Sequence, residues 1–247
     1  MFHRNVAEQI HLIEHAGVNC YIVEDGPKVM LVDAGLPRMW DMTMKALQEL
    51  GHSPQNISAL VLTHAHFDHV GFAARVEQEL NVPIFVHPGD AYLAAHPYSY
   101  KHEKSRIFYP LRYPRCIPIL AQMTRAGALQ VKGINNFKTL HADLTEDLPG
   151  HPELVFTPGH TAGHCALHFA DRGALITGDA LVTMDPYTGM GGPQIVSAAA
   201  TADTKLALES LTALERTGAG VVLPGHGAPF GDGVEKAVEL ARNSQVT

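Results

Sequence analysis

Thr63-His64-Ala65-His66-Phe67-Asp68-His69 decides the reading of this chain. Three imidazoles and a carboxylate fall within residues 64–69, directly after the apolar, strand-like run Ala59-Leu60-Val61-Leu62. Polar groups crowded in this way are costly to bury unless a positive charge sits among them. Imidazole and carboxylate are the donors that suit zinc and its first-row neighbours. His64 and His66 are separated by one residue, so on a loop both rings reach one ion from the same side. Asp68 and His69 are adjacent and aim at a second position close by. The competing reading is a solvated, His-rich turn that binds nothing.

Three further positions repeat the same local grammar. Leu154-Val155-Phe156-Thr157 runs into Pro158-Gly159-His160, Gly173-Ala174-Leu175-Ile176-Thr177 into Gly178-Asp179, and Gly220-Val221-Val222-Leu223 into Pro224-Gly225-His226-Gly227. Each time a short apolar strand ends in a Pro/Gly break with a His or Asp in the turn. Side chains at strand ends stand on rigid supports while pointing into a shared crevice.

These motifs resemble those of the metallo-β-lactamase-fold hydrolases. The resemblance rests on T-H-x-H-x-D-H at 63–69, G-H-T-x-G-H at 159–164, G-D at 178–179 and P-G-H-G at 224–227, and it spans nearly the whole chain. It implies that His64, His66 and His160 hold one metal. Asp68, His69 and His226 would hold a second, with Asp179 bridging the two. None of the seven is missing, which favours a binuclear centre. His164 matches the second histidine of its motif and is expected to buttress the loop rather than bind metal.

The implied chemistry is hydrolysis. Two divalent ions, zinc by expectation with manganese, cobalt or iron as alternatives, share a bridging water and lower its pKa so that hydroxide is available at ordinary pH. Asp68 and Asp179 are the expected catalytic carboxylates. The spacing predicts a helix over 70–80 opened by Asp68, whose ionised form a helix start would favour.

Composition points to a water-soluble chain acting on a small molecule. The formal charge is −7 over 247 residues, without a compensating basic block, so a nucleic-acid surface is not expected. No apolar run approaches membrane-spanning length, and residues 1–8 lack the apolar stretch of a signal peptide, so a cytoplasmic protein is expected. Cys20, Cys116 and Cys165 are odd in number and have no CxxC spacing, which predicts reduced thiols.

A weak internal repeat points to the architecture. Residues 19–23 and 29–33 read as a hairpin, followed by a helix over 39–50 and the strand that ends in the His cluster. Residues 165–169 and 174–177 read likewise, followed by a helix over 201–216 and the strand that ends at His226. Two such units face to face form an αββα sandwich of two mixed β-sheets flanked by helices, as the resemblance also implies. The expected organisation is a single domain over 1–247. Asp33 stands where Asp179 stands in the second unit and is read as structural, holding the loop at Gly35.

Residues 90–148 lack the strand grammar and carry many aromatic and basic groups, which predicts a helical insertion acting as a lid or a homodimer contact. A Gly/Pro-rich loop over 183–193 is a second candidate lid. Tyr187, Met190, Phe108 and Tyr109 are the expected substrate contacts, and His87 is a candidate pocket wall. His3, His11, His15, His52, His96, His102, His141 and His151 lack ligand spacing and read as surface or capping groups. Within the resembled family, hydroxyacylglutathione hydrolases carry an extra carboxy-terminal helical domain, whereas here 21 residues follow His226. Lactonases often place a tyrosine three residues past the bridging aspartate, where this chain has Val182. The expectation is cleavage of a small carboxylic ester or lactone. A thioester or phosphodiester hydrolase is the alternative, as is a mononuclear iron sulfur dioxygenase.

Overall fold

Alternating side chains along the strands generate a layered structure in the computed structural model, which describes residues 1–244 and 247, with the backbone alone at 144–146. Strands β1 (Phe2–Ala7), β2 (Ile10–His15), β3 (Val18–Asp25), β4 (Lys28–Val32), β5 (Ile57–Val61), β6 (Ile84–Val86) and β7 (Lys138–Thr139) form one sheet in chain order. The first four pair antiparallel and the last four parallel, so the sheet is mixed. The remaining strands are β8 (Glu153–Phe156), β9 (Cys165–Phe169), β10 (Ala174–Gly178), β11 (Val182–Met184), β12 (Gly191–Gln194) and β13 (Val221–Pro224). A second mixed sheet runs β13-β10-β9-β8, and β11 and β12 pair as a separate hairpin.

The two-residue period of a strand sends neighbours to opposite faces. Tyr21, Val23, Met30, Val32, Ala59 and Val61 therefore face the second sheet, meeting Leu167, Phe169, Ile176 and Leu223 in the layer between. Their neighbours Cys20, Ile22, Leu31 and Leu60 face outward and pack under the helix Met39–Glu49 through Met39, Trp40 and Leu47. The outer face of the second sheet, with Leu175 and Val222, is covered by the helices Thr204–Glu215 and Val234–Asn243. Asp203 caps the first of these by accepting from the Leu206 backbone N–H at 2.9 Å. This is the αββα sandwich expected from the internal repeat: β3, β4 and β5 pair as β9, β10 and β13 do, antiparallel and then parallel.

Four local expectations change. The chain over 67–72 is a series of turns, and helix begins only at Ala73, continuing as a π-turn over Val76–Leu80. Asp68 thus stands five residues before helix and gains nothing from its dipole. The stretch 183–193 forms most of the β11–β12 hairpin rather than an open loop. The segment 90–148 contributes the edge strand β7, and its Met123, Ala126, Val131 and Ile134 belong to the main core under the first sheet. His11 is buried rather than superficial: its Nδ1 accepts from the Asn5 N–H at 3.0 Å while Nε2 meets Glu24 at 2.5 Å.

Among the described residues, no helix is long and apolar enough to cross a membrane.

Candidate metal centre

Four strand ends deliver the seven sequence-predicted ligands to one edge of the sandwich. His64, His66, Asp68 and His69 follow β5, His160 follows β8, Asp179 follows β10 and His226 follows β13. All seven are at most 6 % exposed. Potential ligand atoms cluster in three overlapping sets within 4.8 Å: His64, His66 and His160; His64, His69 and Asp179; Asp68, His69 and His226. Close packing at this edge demands glycine. A Cβ on Gly225 would lie 2.2 Å from Asp179 Oδ1 and 2.8 Å from His69 Cε1.

The outer nitrogens fix how four of the five rings present themselves. His226 Nδ1 donates to the Gly17 carbonyl at 2.7 Å, held in place because Asn19 and Tyr21 bond the Pro224 carbonyl from the other sheet. His69 Nδ1 donates to Asp33 Oδ2 at 2.9 Å. The Thr63 hydroxyl gives its proton to Asp33 and so accepts from His64 Nδ1 at 3.1 Å. The Thr201 hydroxyl gives its proton to the Val196 carbonyl and so accepts from His160 Nδ1 at 3.3 Å. In the neutral rings each assignment leaves Nε2 as the inward acceptor; that of His160 also meets His66 Nδ1 at 2.9 Å, and all four lie around the Asp179 carboxylate. The separations are 3.2 Å from His226, 3.3 Å from His160, 3.5 Å from His69 and 3.9 Å from His64. Lone pairs facing a carboxylate in a buried space repel unless cations lie among them. In keeping with this, His64 Nε2, His69 Nε2 and Asp179 Oδ1 are buried without any hydrogen-bond partner. The donor set therefore fits divalent ions of the zinc type.

Proton affinities tell the same story for the metal-free chain. Burial and the neighbouring imidazoles hold His64, His66 and His164 well below the usual histidine range, and burial pushes His160 down to about 4. Burial would also lower His69 and His226, but the Asp179 carboxylate, joined by Asp33 at His69 and Asp68 at His226, raises them to about 10 and about 9. Asp179 is held well below the usual carboxylate range because His226 and His69 outweigh the effect of burial. The centre thus recruits protons where no metal supplies charge.

Support comes from groups that do not face the centre. His164 Nε2 accepts the Asp179 backbone N–H at 3.0 Å while Nδ1 bonds Thr157 at 2.8 Å, so this ring props the Asp179 turn and points no donor inward. Asp33 takes the left-handed region at φ 61° and anchors both Thr63 and His69. Sequence reasoning missed Asp90. Its buried carboxylate accepts from Ala65 N (3.0 Å), Thr161 Oγ1 (2.8 Å) and Gly163 N (2.7 Å), tying the two histidine loops together. The signal was present: Pro88-Gly89-Asp90 follows strand β6 with the same Pro/Gly-then-Asp grammar as the other sites.

The expected substrate contacts separate. Tyr187 borders a narrow crevice with Asp68, Asp179 and His226. Phe108 and Tyr109 instead line a surface groove with Lys104, Arg112 and Tyr113, which no residue of the metal cluster borders. Met190 sits exposed between β11 and β12. His87 stacks on Phe156 at 4.7 Å and accepts from the Gly89 N–H, away from the cluster's cavities. A cavity of about 220 Å³ opens beside His66 and His160, walled by Tyr92, Leu93, Tyr100, Ala162 and Ala202.

The chain belongs to the Metallo-beta-lactamase superfamily, which matches residues 14–226. Two relatives come from Bacillus subtilis (strain 168). "Probable metallo-hydrolase YflN" is 26 % identical over 237 residues, 91 % of this chain and 86 % of its own length. "Probable metallo-hydrolase YybB" is 28 % identical over 172 residues, 67 % and 63 % of the two chains. The crystal structure of TTHA1623 in a di-iron-bound form superposes with a TM-score of 0.66 at 24 % identity, covering 94 % of this chain and 98 % of that one. At that identity the likeness speaks for the fold.

Proposed function

We propose that this protein is a metal-dependent hydrolase that uses two divalent ions, zinc by preference, to cleave a small carboxylic ester or lactone. One observation carries the reading: four imidazole Nε2 atoms surround a single buried carboxylate within 3.9 Å, an arrangement that calls for positive charge among them, which two metal ions would supply. His64, His66 and His160 would hold one ion, Asp68, His69 and His226 the other, with Asp179 between them. When bound, such a pair supplies hydroxide near neutral pH and an electrophilic seat for a carbonyl oxygen. The protein's own part is orientation. Asp33, Thr63, Thr201 and the Gly17 carbonyl fix the tautomers, and Asp90 locks the two histidine loops in register. The relatives' names, both metallo-hydrolases, agree with the reaction class.

The ester or lactone preference rests on the cavity beside His66 and His160. Its walls are largely apolar and suit an uncharged acyl or ring portion held by burial. A single-iron dioxygenase is disfavoured because Asp68, His69 and His226 also converge and would have no task there. The test is reconstitution with zinc, manganese, cobalt and iron, metal counting, and a panel of lactone, aryl ester, thioester, phosphodiester and β-lactam substrates. About two ions per chain with ester or lactone turnover is the expected result. One tightly held iron with oxygen uptake would replace the reading with the oxidative one.

A further inference from the structure

We infer that Tyr187, backed by Tyr100 and Arg106, donates a hydrogen bond to the substrate oxygen that gains negative charge at the metal centre. The inference rests on the hydrolase reading above and adds a group to the site that lies outside the ligand set. Tyr100 OH and Tyr187 OH are 2.8 Å apart, and Arg106 Nη1 donates to Tyr100 OH at 2.6 Å. Arg106 has no carboxylate partner among the described residues; its guanidinium carbon lies 4.3 Å from the centroid of the Tyr100 ring. The Tyr100 ring in turn lies 4.2 Å from that of His66, so the group forms one wall of the centre.

Counting protons gives the role. The two phenols carry two protons, and their mutual hydrogen bond uses one. Arg106 only donates, so it can accept neither. One phenolic proton is therefore left without an acceptor among the described residues. The cationic donor on Tyr100 oxygen polarises that hydroxyl and favours the order Arg106 to Tyr100 to Tyr187, because hydrogen-bonded chains reinforce one another in one direction. The spare proton then belongs to Tyr187, in the crevice that Asp68, Asp179 and His226 also border. None of these three accepts it, so an oxygen of a bound substrate is the natural partner. A donor fixed in place before reaction and aimed where charge develops stabilises the transition state more than the ground state. Arg106 and Tyr100 touch no reacting atom in this scheme and are positioning residues.

The test compares the metal-loaded full-length protein with Tyr187→Phe, Tyr100→Phe, Arg106→Gln and Arg106→Lys. Phenylalanine keeps the ring packing and removes only the hydroxyl. Three quantities are read: metal content, kcat and KM on the best substrate of the panel, and calorimetric affinity for inorganic phosphate as an oxyanion probe. Tyr187→Phe is expected to keep its metal, to lose roughly ten- to a hundredfold in kcat with little change in KM, and to bind phosphate about tenfold more weakly. Tyr100→Phe and Arg106→Gln should lose less in the same direction, with Arg106→Lys recovering part of the loss. Unchanged kcat and phosphate affinity in Tyr187→Phe overturn the inference. So does a fall in its metal content, because the phenol would then be supporting the metal loops. If the parent protein hydrolyses nothing in the panel, the hydrolase reading fails, and the phosphate titration still judges Tyr187 on its own.

Discussion

Replacing Asp90 tests whether the metal centre is held by a hub that binds no metal. Three donors meet its buried carboxylate: two backbone N–H groups, from Ala65 and Gly163, and the Thr161 hydroxyl. In Asp90→Ala the hydroxyl can rotate to another acceptor, but the two N–H groups stay buried and unpaired. Each such group costs about 1–3 kcal/mol, and losing the hydrogen bond from Thr161 adds about 1 kcal/mol, so the total is roughly 3–7 kcal/mol. For a chain of this size that corresponds to a fall in Tm of about 6–28 °C. Asp90→Asn keeps the shape and loses about one charge-assisted bond, roughly 1.5–3 kcal/mol, with a correspondingly smaller shift. Thermal melts of the metal-free proteins measure this directly. Metal counting under limiting zinc reads the second consequence: Ala65 lies between His64 and His66, and Thr161 follows His160, so the set His64, His66 and His160 should lose affinity first. A melting point for Asp90→Ala within 2–3 °C of the parent, on a scale of about 2–4 °C per kcal/mol, with full metal content, would refute the reasoning.

Asp179→Ala leaves four bare nitrogens without their common anion. Turnover should fall by more than the ten- to hundredfold typical of losing an outer support to a metal ligand, whereas His141→Ala should match the parent in the same assay. Gly225→Ala would drive a Cβ to 2.2 Å from Asp179 Oδ1, and reduced zinc retention on dialysis is expected. The metal-free chain should be most stable near pH 6.5. The depressed histidines His64, His66, His160 and His164 contribute stability that is present above the ordinary pKa of 6.5 and lost as pH falls, for His160 toward about 4. His69 and His226 are raised, so their contribution is present below 6.5 and lost as pH rises through about 10 and about 9. Bound metal replaces those two protons, so urea titrations across pH should lose the alkaline decline when zinc is present; its persistence would contradict the ligand assignment.

The metal cluster was legible because each ligand closely follows a short apolar strand, directly at 64–69 and through a glycine or proline break at His160, Asp179 and His226, a pattern written in consecutive residues. The sheets were legible for a similar reason: strand alternation and the repeated strand–turn–strand order are local. The groups that sequence reading missed act across long separations. Asp90 reaches Thr161 and Gly163, and Asn19 reaches Pro224; no local spacing encodes such partners. Phe108 and Tyr109 line a groove apart from the metal cluster, with the Tyr109 ring 6.4 Å from that of Tyr187, because composition marks a segment as aromatic without saying which side of it faces the site. The helix expected over 70–80 starts late because the turn 67–72 is committed elsewhere: Gly71 N bonds the Gly35 carbonyl, and Ala34 N bonds the His69 carbonyl, pinning the ligand loop to the strand-end loop beside it.

The internal repeat explains why two aspartates at equivalent strand ends have opposite duties. Asp33 and Asp179 both follow the central strand of a strand–strand–helix–strand unit. Asp33 turns to hold Thr63 and His69, so its charge orients ligands from outside. Asp179 turns inward, its backbone N–H fixed by His164, and its carboxylate meets four imidazoles. A symmetrical pair of inward carboxylates would place a second anion among bare lone pairs and compete for the same ions. With one unit supplying the frame and the other the central anion, a single carboxylate sits where two cations would share it. Exchanging the duties should therefore fail in a particular way. In Asp33→Asn, His69 faces an amide that can turn its nitrogen toward the ring and release the tautomer. Zinc should then be lost first from the set Asp68, His69 and His226, leaving about one ion per chain. Loss of both ions together would show instead that Asp33 holds the whole edge of the sandwich.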